Sequence, residues 1–284
     1  MGFTKISNFT ARIYYNLQEI SDSMKRNIPS KQIHYWETIW MLAKTDLKMR
    51  YQGSWLGAVW VFLKPFSLFL VLNFVFSHLF YKNNQTFSIR LLVGIILWSF
   101  FAEATTVGLS SLLTKAHILK KIYIPKWIII ISATVHSGLA FLFNLVVLFL
   151  FLFFYYDTYP SFLHILMFGV YLILMYGITV IFSFITAPLF VRIRDLNQVW
   201  EVLLQVLFFS SPIIYPISLI PENIQSILYL NPMTLLIEHS RVALIDNNIA
   251  RTDHLFIFIT IVIICFFGSI WFFNKNTKNL IENM

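Results

Sequence analysis

Residues 33–65 read IHYWETIWMLAKTDLKMRYQGSWLGAVWVFLKP, a stretch that passes from a wet amphipathic segment into a first membrane span. Ile33, Trp36, Trp40, Ala43, Leu47 and Tyr51 recur at helical spacing, while Glu37, Lys44, Lys48 and Gln52 fall on the opposite side. The spacing predicts a helix in the interfacial plane, with its apolar stripe in the acyl boundary and its charges in water. Trp36, Trp40, Trp55 and Trp60 suit that depth, because an indole joins an apolar body to one N–H that needs a polar partner. Gly53 and Gly57 let the backbone bend before an apolar run begins at Leu56. Lys64-Pro65 stands near the start of that run, where a lysine snorkels toward the headgroups.

Composition extends the reading to the whole chain. Of 284 residues, 58% are hydrophobic and 12% charged, and the mean hydropathy is +0.73. A water-soluble domain of this size cannot hide so much apolar surface, so the expected solvent is lipid. Residues 1–32 are polar, hold no apolar segment for a cleavable signal, and predict one short helix near 8–26. The single Cys265 excludes an intrachain disulfide and a cysteine-cluster metal site.

Apolar runs at 56–80, 89–108, 128–156, 162–189, 198–215 and 254–273 each leave room for about 20 residues of helix. They predict an all-α membrane protein with six transmembrane helices and both ends on one side. Of the 21 lysines and arginines, sixteen fall on the side of the N-terminus, the 109–127 and 190–197 loops and the tail. Lys82, Arg90, Arg241 and Arg251 fall on the other. That asymmetry places both termini in the cytoplasm, and it accounts for the net charge of +8 without nucleic acid. The domain layout is a cytoplasmic N-terminal segment at 1–55, a membrane domain at 56–273 and a cytoplasmic tail at 274–284.

Two stretches interrupt the spans. Ser211-Pro212-Ile213-Ile214-Tyr215-Pro216, followed by Pro221, cannot continue a helix. Ile224 to Leu230 and Leu235 to Leu244 are nonetheless too apolar for a solvated loop. Two short re-entrant helices at the outer face are therefore expected before the last span, the second capped by Asn231 with Pro232 in its first turn. The other stretch, 109–127, has no acidic residue and carries Lys115, His117, Lys120, Lys121, Tyr123 and Pro125. A basic loop suits anionic headgroups. The apolar residues among its lysines favour a helix that docks on a cytoplasmic partner.

Motifs for chemistry are missing: no phosphate loop, no Gly-x-Ser-x-Gly elbow and no His-Glu-x-x-His helix. Asn73, His78, Glu103, His136, Asn144 and Glu201 are the polar residues inside predicted spans. Among them Glu103 is the strongest candidate, with interhelical hydrogen bonding its expected role. Arg192 to Asp195 forms a basic turn.

Asp46-Leu-Lys-Met-Arg-Tyr-Gln-Gly-Ser-Trp-Leu-Gly57, with Trp60 and Lys64-Pro65, resembles the N-terminal signature of ABC type-2 exporter permeases for cell-surface polysaccharides (O-antigen, teichoic acid, capsule). Ile122-Tyr-Ile-Pro125, Arg192 to Asp195, Ser211 to Pro216 and Leu230-Asn-Pro-Met-Thr234 up to Arg241 match in the same order, so the resemblance covers about 35–273. Lys64 stands where that family more usually has Asn or Gln. The resemblance implies a homodimeric permease, paired with two copies of a cytoplasmic ABC ATPase, that exports an undecaprenyl-linked polysaccharide, O-antigen foremost, from an inner (plasma) membrane. The chain itself would bind no cofactor, since ATP and Mg sit on the partner, and it would be a transport subunit rather than an enzyme.

By the same resemblance, Lys115, His117, Lys120, Lys121, Tyr123 and Pro125 serve ATPase coupling. Trp36, Lys48, Arg50, Tyr51 and Trp55 form the substrate gate; within it Lys48 and Arg50 are expected to meet the lipid pyrophosphate, since cationic donors at headgroup level suit a phosphate. Pro212, Tyr215, Pro216, Asn231 and Pro232 build the outer re-entrant hairpin. The 18% aromatic content offers faces on which a sliding glycan can stack. The rival reading is a membrane-embedded transferase acting on lipid-linked sugars, which needs an essential His or paired carboxylates near one interface. A channel or secondary transporter would break its spans near the midplane.

Overall fold

The computed structural model describes residues 35–51, 54–80, 85–121, 124–155, 159–248 and 252–277. The expected helix near 8–26, Ile33, Gln52, Gly53, Lys82, Tyr123 and Arg251 lie outside them, as does the end of the tail. Ten helices follow in order: α1 (Tyr35–Tyr51), α2 (Trp60–Phe80), α3 (Gln85–Thr114), α4 (Ala116–Lys121), α5 (Lys126–Tyr155), α6 (Phe162–Arg192), α7 (Leu196–Ser210), α8 (Glu222–Leu228), α9 (Pro232–Leu244) and α10 (Thr252–Asn276). The described residues are all-helical apart from turns and connections.

α3 is the axis of the bundle. Leu91, Leu92, Val93, Ile95, Leu97, Phe100, Ala104 and Leu109 are all buried, because the helix is apolar around its whole circumference and has a neighbour on every side. α2, α5, α6, α7 and α9 pack around it. Its hydroxyls bond back within the helix (Thr105 to Phe101 O, Thr106 to Ala102 O, Ser111 to Gly108 O), so they cost little away from water. Small residues set the closest approach: a Cβ at Gly108 would overlap the Ser183 hydroxyl of α6. α10 lies outermost and presents Phe256, Ile257, Ile264, Phe267 and Trp271 outward. A face this apolar suits lipid rather than water.

Among the described residues, five helices are long and apolar enough to cross a membrane: Trp60–Ser77, Thr86–Lys121, Lys126–Phe154, Phe162–Arg192 and Leu255–Asn276. The expected span at 198–215 is not among them. α7 ends at Ser210 with Ser211 already extended (φ −90°, ψ 143°), because the residue before Pro212 is driven from the helical region. At 15 residues it rises only about 22 Å. In the opposite direction, α3 runs on to Thr114 rather than stopping at 108, since nothing in 109–114 breaks it. That shortens the expected 109–127 loop to a six-residue helix, α4.

α1 has a buried face that its spacing does not announce. Its buried residues are Thr38, Ile39, Leu42, Ala43 and Thr45, a face adjacent to the tryptophan stripe, and they pack on α5. Trp36 (76% exposed) and Trp40 (53%) stay outward. The helix has three faces, not two. Substituting Gly108→Val should push α3 from α6 at a cost of about 1–3 kcal/mol. The expected result is a lower unfolding temperature in detergent, partly restored by adding Ser183→Gly.

Candidate functional site

Charged and polar side chains gather at both ends of α3. At the first end, α1 carries Asp46 and, one turn later, Arg50. Arg50 forms an ion pair with Glu103 of α3, and its Nη1 also lies 3.4 Å from His136 Nε2 on α5. Asp46 forms an ion pair with Lys115, the residue joining α3 to α4, and Lys115 Nζ donates to Ser132 Oγ on α5 at 3.3 Å. Ser132 and His136 are again one turn apart. Two polar links thus tie α1 to the same two neighbours; the Asp46–Lys115 link is largely buried, while the Arg50–Glu103 pair stays about one-third exposed.

The coupling residues divide in two. His117, Lys120 and Lys121 of α4 point outward, while Leu119 is buried beneath them. Pro125 opens α5, its carbonyl accepting the Ile128 N–H at 3.0 Å. Lys115 does not join the outward face, as expected of a docking residue. It is 7% exposed and turned inward because Asp46 offers the one carboxylate within its reach among the described residues. Trp55 is 98% exposed, Lys48 is exposed on the last turn of α1, and the Tyr51 side chain lies outside the described set. Glu103 takes the interhelical role expected of it.

A cleft of about 450 Å³ opens beside the Arg50–Glu103 pair. Its walls include Trp60, Val61, Lys64, Pro65 and Leu68 of α2, Trp98, Phe100 and Thr106 of α3, and Ser137, Phe141 and Asn144 of α5. That volume is in the range of small-molecule and cofactor sites.

The second end is organised by Arg241 of α9, which is 3% exposed. Its Nε donates to Arg90 O at 2.9 Å and its Nη2 to Ile213 O at 2.8 Å, while Nη1 serves Pro212 O and Glu238. The prolines leave carbonyls without helical donors, and one guanidinium supplies the missing bonds. A Cβ at Gly94 would come within 2.6 Å of Arg241 Nη2, so the glycine makes room for it. Asn231 caps α9 through the Met233 N–H at 3.0 Å and donates to Ser211 Oγ at 2.9 Å, with Pro232 in the first turn. Tyr215 donates to Phe209 O at 3.1 Å, and Pro216 starts the next short turn. Burial, then the negative charge of Glu238, pushes the Tyr229 hydroxyl above its ordinary pKa. Sequence reading named Pro212, Tyr215, Pro216, Asn231 and Pro232 here but gave no role to Arg241, whose arginine looked like a loop charge.

A family model for ABC-2 type transporters matches residues 37–245. The chain belongs to that family. The match runs from the first turn of α1 to the end of α9, so it includes both charged ends of α3. Three proteins named O-antigen export system permease protein RfbA are similar to it. One from Klebsiella pneumoniae is 30% identical over 224 residues, 77% of this chain and 82% of its own length. One from Myxococcus xanthus is 27% identical over 245 residues, 86% and 94%. A second from Klebsiella pneumoniae is 30% identical over 209 residues, 72% and 78%. As an ABC-2 member with apolar spanning helices, the chain is a multi-pass membrane transport subunit, and its family implies an ATPase partner.

Breaking the first link tests its weight. Asp46→Asn should leave the Lys115 ammonium buried and unpaired at a cost of about 3 kcal/mol. Lys115→Met in the same chain should recover most of the loss. Thermal unfolding of the single and double variants in detergent gives the coupling directly.

Proposed function

We propose that this chain is the permease of an ATP-driven exporter that moves a lipid-linked O-antigen polysaccharide out of the cytoplasm of a Gram-negative cell. The observation that carries the reading is similarity to O-antigen export permeases over 78–94% of their length. The geometry agrees with it: a helix shaped for the interface is ion-paired to the joint that bears the basic helix α4. The Arg50 end then faces the cytoplasm, as the positive-inside asymmetry requires. α7 with its proline turn completes a sixth crossing, and α8 and α9 form the outer re-entrant hairpin. The chain works as a homodimer with two copies of a separate ABC ATPase, which holds ATP and Mg.

In this reading His117, Lys120 and Lys121 of α4, with Tyr123 and Pro125 beside it, receive the ATPase, while Lys115 passes its motion to Asp46 on α1. Trp36, Trp55 and Tyr51 line the gate at headgroup depth, and Lys48 and Arg50 meet the lipid diphosphate. The transferase alternative is not favoured, because the similar proteins are named export permeases.

Deleting the gene should remove O-antigen from surface lipopolysaccharide, seen as loss of the ladder on gels, while lipid-linked polymer accumulates inside. Native-mass measurement after mild extraction should give two permeases and two ATPases. Arg50→Ala at normal protein level should cut export severalfold; unchanged export would remove the headgroup role. An unaltered surface in the deletion strain would remove the cargo.

A further inference from the structure

The cleft at the first end holds a cation that the two links do not use. Lys64 of α2 lines it together with Arg50 and Glu103 and makes no ion pair among the described residues. An ammonium in an apolar helix needs water or an anion. Snorkelling explains a lysine at the lipid boundary, but it does not require the lysine to share a cleft with a guanidinium. Two cations against one carboxylate leave the cleft with one excess positive charge. The occupant that balances it is anionic, and two separate cationic walls suit a ligand with two anionic groups. A diphosphate has that shape: the arginine fork takes one phosphoryl group bidentately, and the lysine point charge takes the other. Asn144 adds a neutral donor, and Trp60 and Trp98 add flat apolar walls for a polyprenyl stem or a first sugar ring.

We propose that this cleft is a diphosphate site in which Arg50 and Lys64 each hold one phosphoryl group and Glu103 is the resident anion that the ligand displaces. This rests on the headgroup reading of Arg50 and adds two residues to it. In the empty cleft, Glu103 neutralises Arg50. When the diphosphate arrives, its like charge expels the Glu103 carboxylate from the guanidinium. The last turn of α1 then exchanges its tie to α3 for a tie to the ligand. Glu103 therefore opposes binding, and ligand entry loosens the gate helix at that end.

The test is binding to the purified full-length permease in nanodiscs of neutral lipid. The probes are undecaprenyl diphosphate, undecaprenyl monophosphate and inorganic pyrophosphate, each read by tryptophan quenching and native mass. Undecaprenyl diphosphate should bind about tenfold more weakly to Lys64→Gln and to Arg50→Gln, the loss of one charge-assisted contact. It should bind more tightly to Glu103→Gln, while Glu103→Asp, which keeps the charge, should stay near the native value. The monophosphate should be insensitive to Lys64→Gln. If pyrophosphate binds as well as the lipid, the site reads a free diphosphate; if only the lipid binds, it reads a lipid headgroup.

Unchanged affinity in Lys64→Gln, or weaker binding in a Glu103→Gln protein that melts normally, overturns the exchange. Should Glu103→Gln fail to fold, Lys64→Glu decides, because a second carboxylate must abolish binding. Arg50→Gln with native affinity would sink the underlying headgroup reading instead, whatever Lys64 does.

Discussion

Both ends of the bundle depend on an arginine whose charge is matched by a carboxylate on a helix of the bundle. At one end Arg50 is held by Glu103 and approached by His136. At the other, Arg241 is held by Glu238 and by three carbonyl oxygens. An unpaired guanidinium in a lipid-surrounded bundle is costly, so each arginine dictates where its neighbours stand. Gly94 is small because Arg241 lies against it. The proline turn at 211–216 can leave the helical path because Arg241 receives its carbonyls.

The two ends use the same physics to opposite effect. Arg241 is bound mainly to backbone, which cannot leave without unfolding the turn, so that end is fixed. Arg50 is bound to side chains, which can change partners, so that end can exchange. The backbone-bound end holds its shape while the side-chain-bound end can change partners. Lys115 stands between the two behaviours: it is buried like a structural residue, yet it sits at the joint through which a partner would push.

Much of this was legible in the chain. Hydropathy and the tryptophans marked a membrane protein, and the prolines at 212, 216 and 221 marked the break. Asn231-Pro232 predicted the start of α9 to the residue. The motifs around Asp46, Pro125 and Asn231 led to the family that the comparison supports. What misled was reading each residue within its own segment. Lys115 looked like one more loop lysine, Arg241 looked like a loop charge, and the tryptophan stripe hid the second face of α1. The span expected at 198–215 was long enough in composition, but its last residues belong to a turn.

Sequence by itself determined the solvent, the helices, their caps and breaks, and the family, because these follow from composition, spacing and the local chemistry of proline, asparagine and tryptophan. Tertiary structure alone decided which charges meet: Asp46 with Lys115, Arg50 with Glu103, Arg241 with the carbonyls of 212 and 213. Periodicity tells which residues share a helix face. It does not tell which helix that face will touch, and in a bundle whose axial helix is apolar on every side, only packing makes the choice.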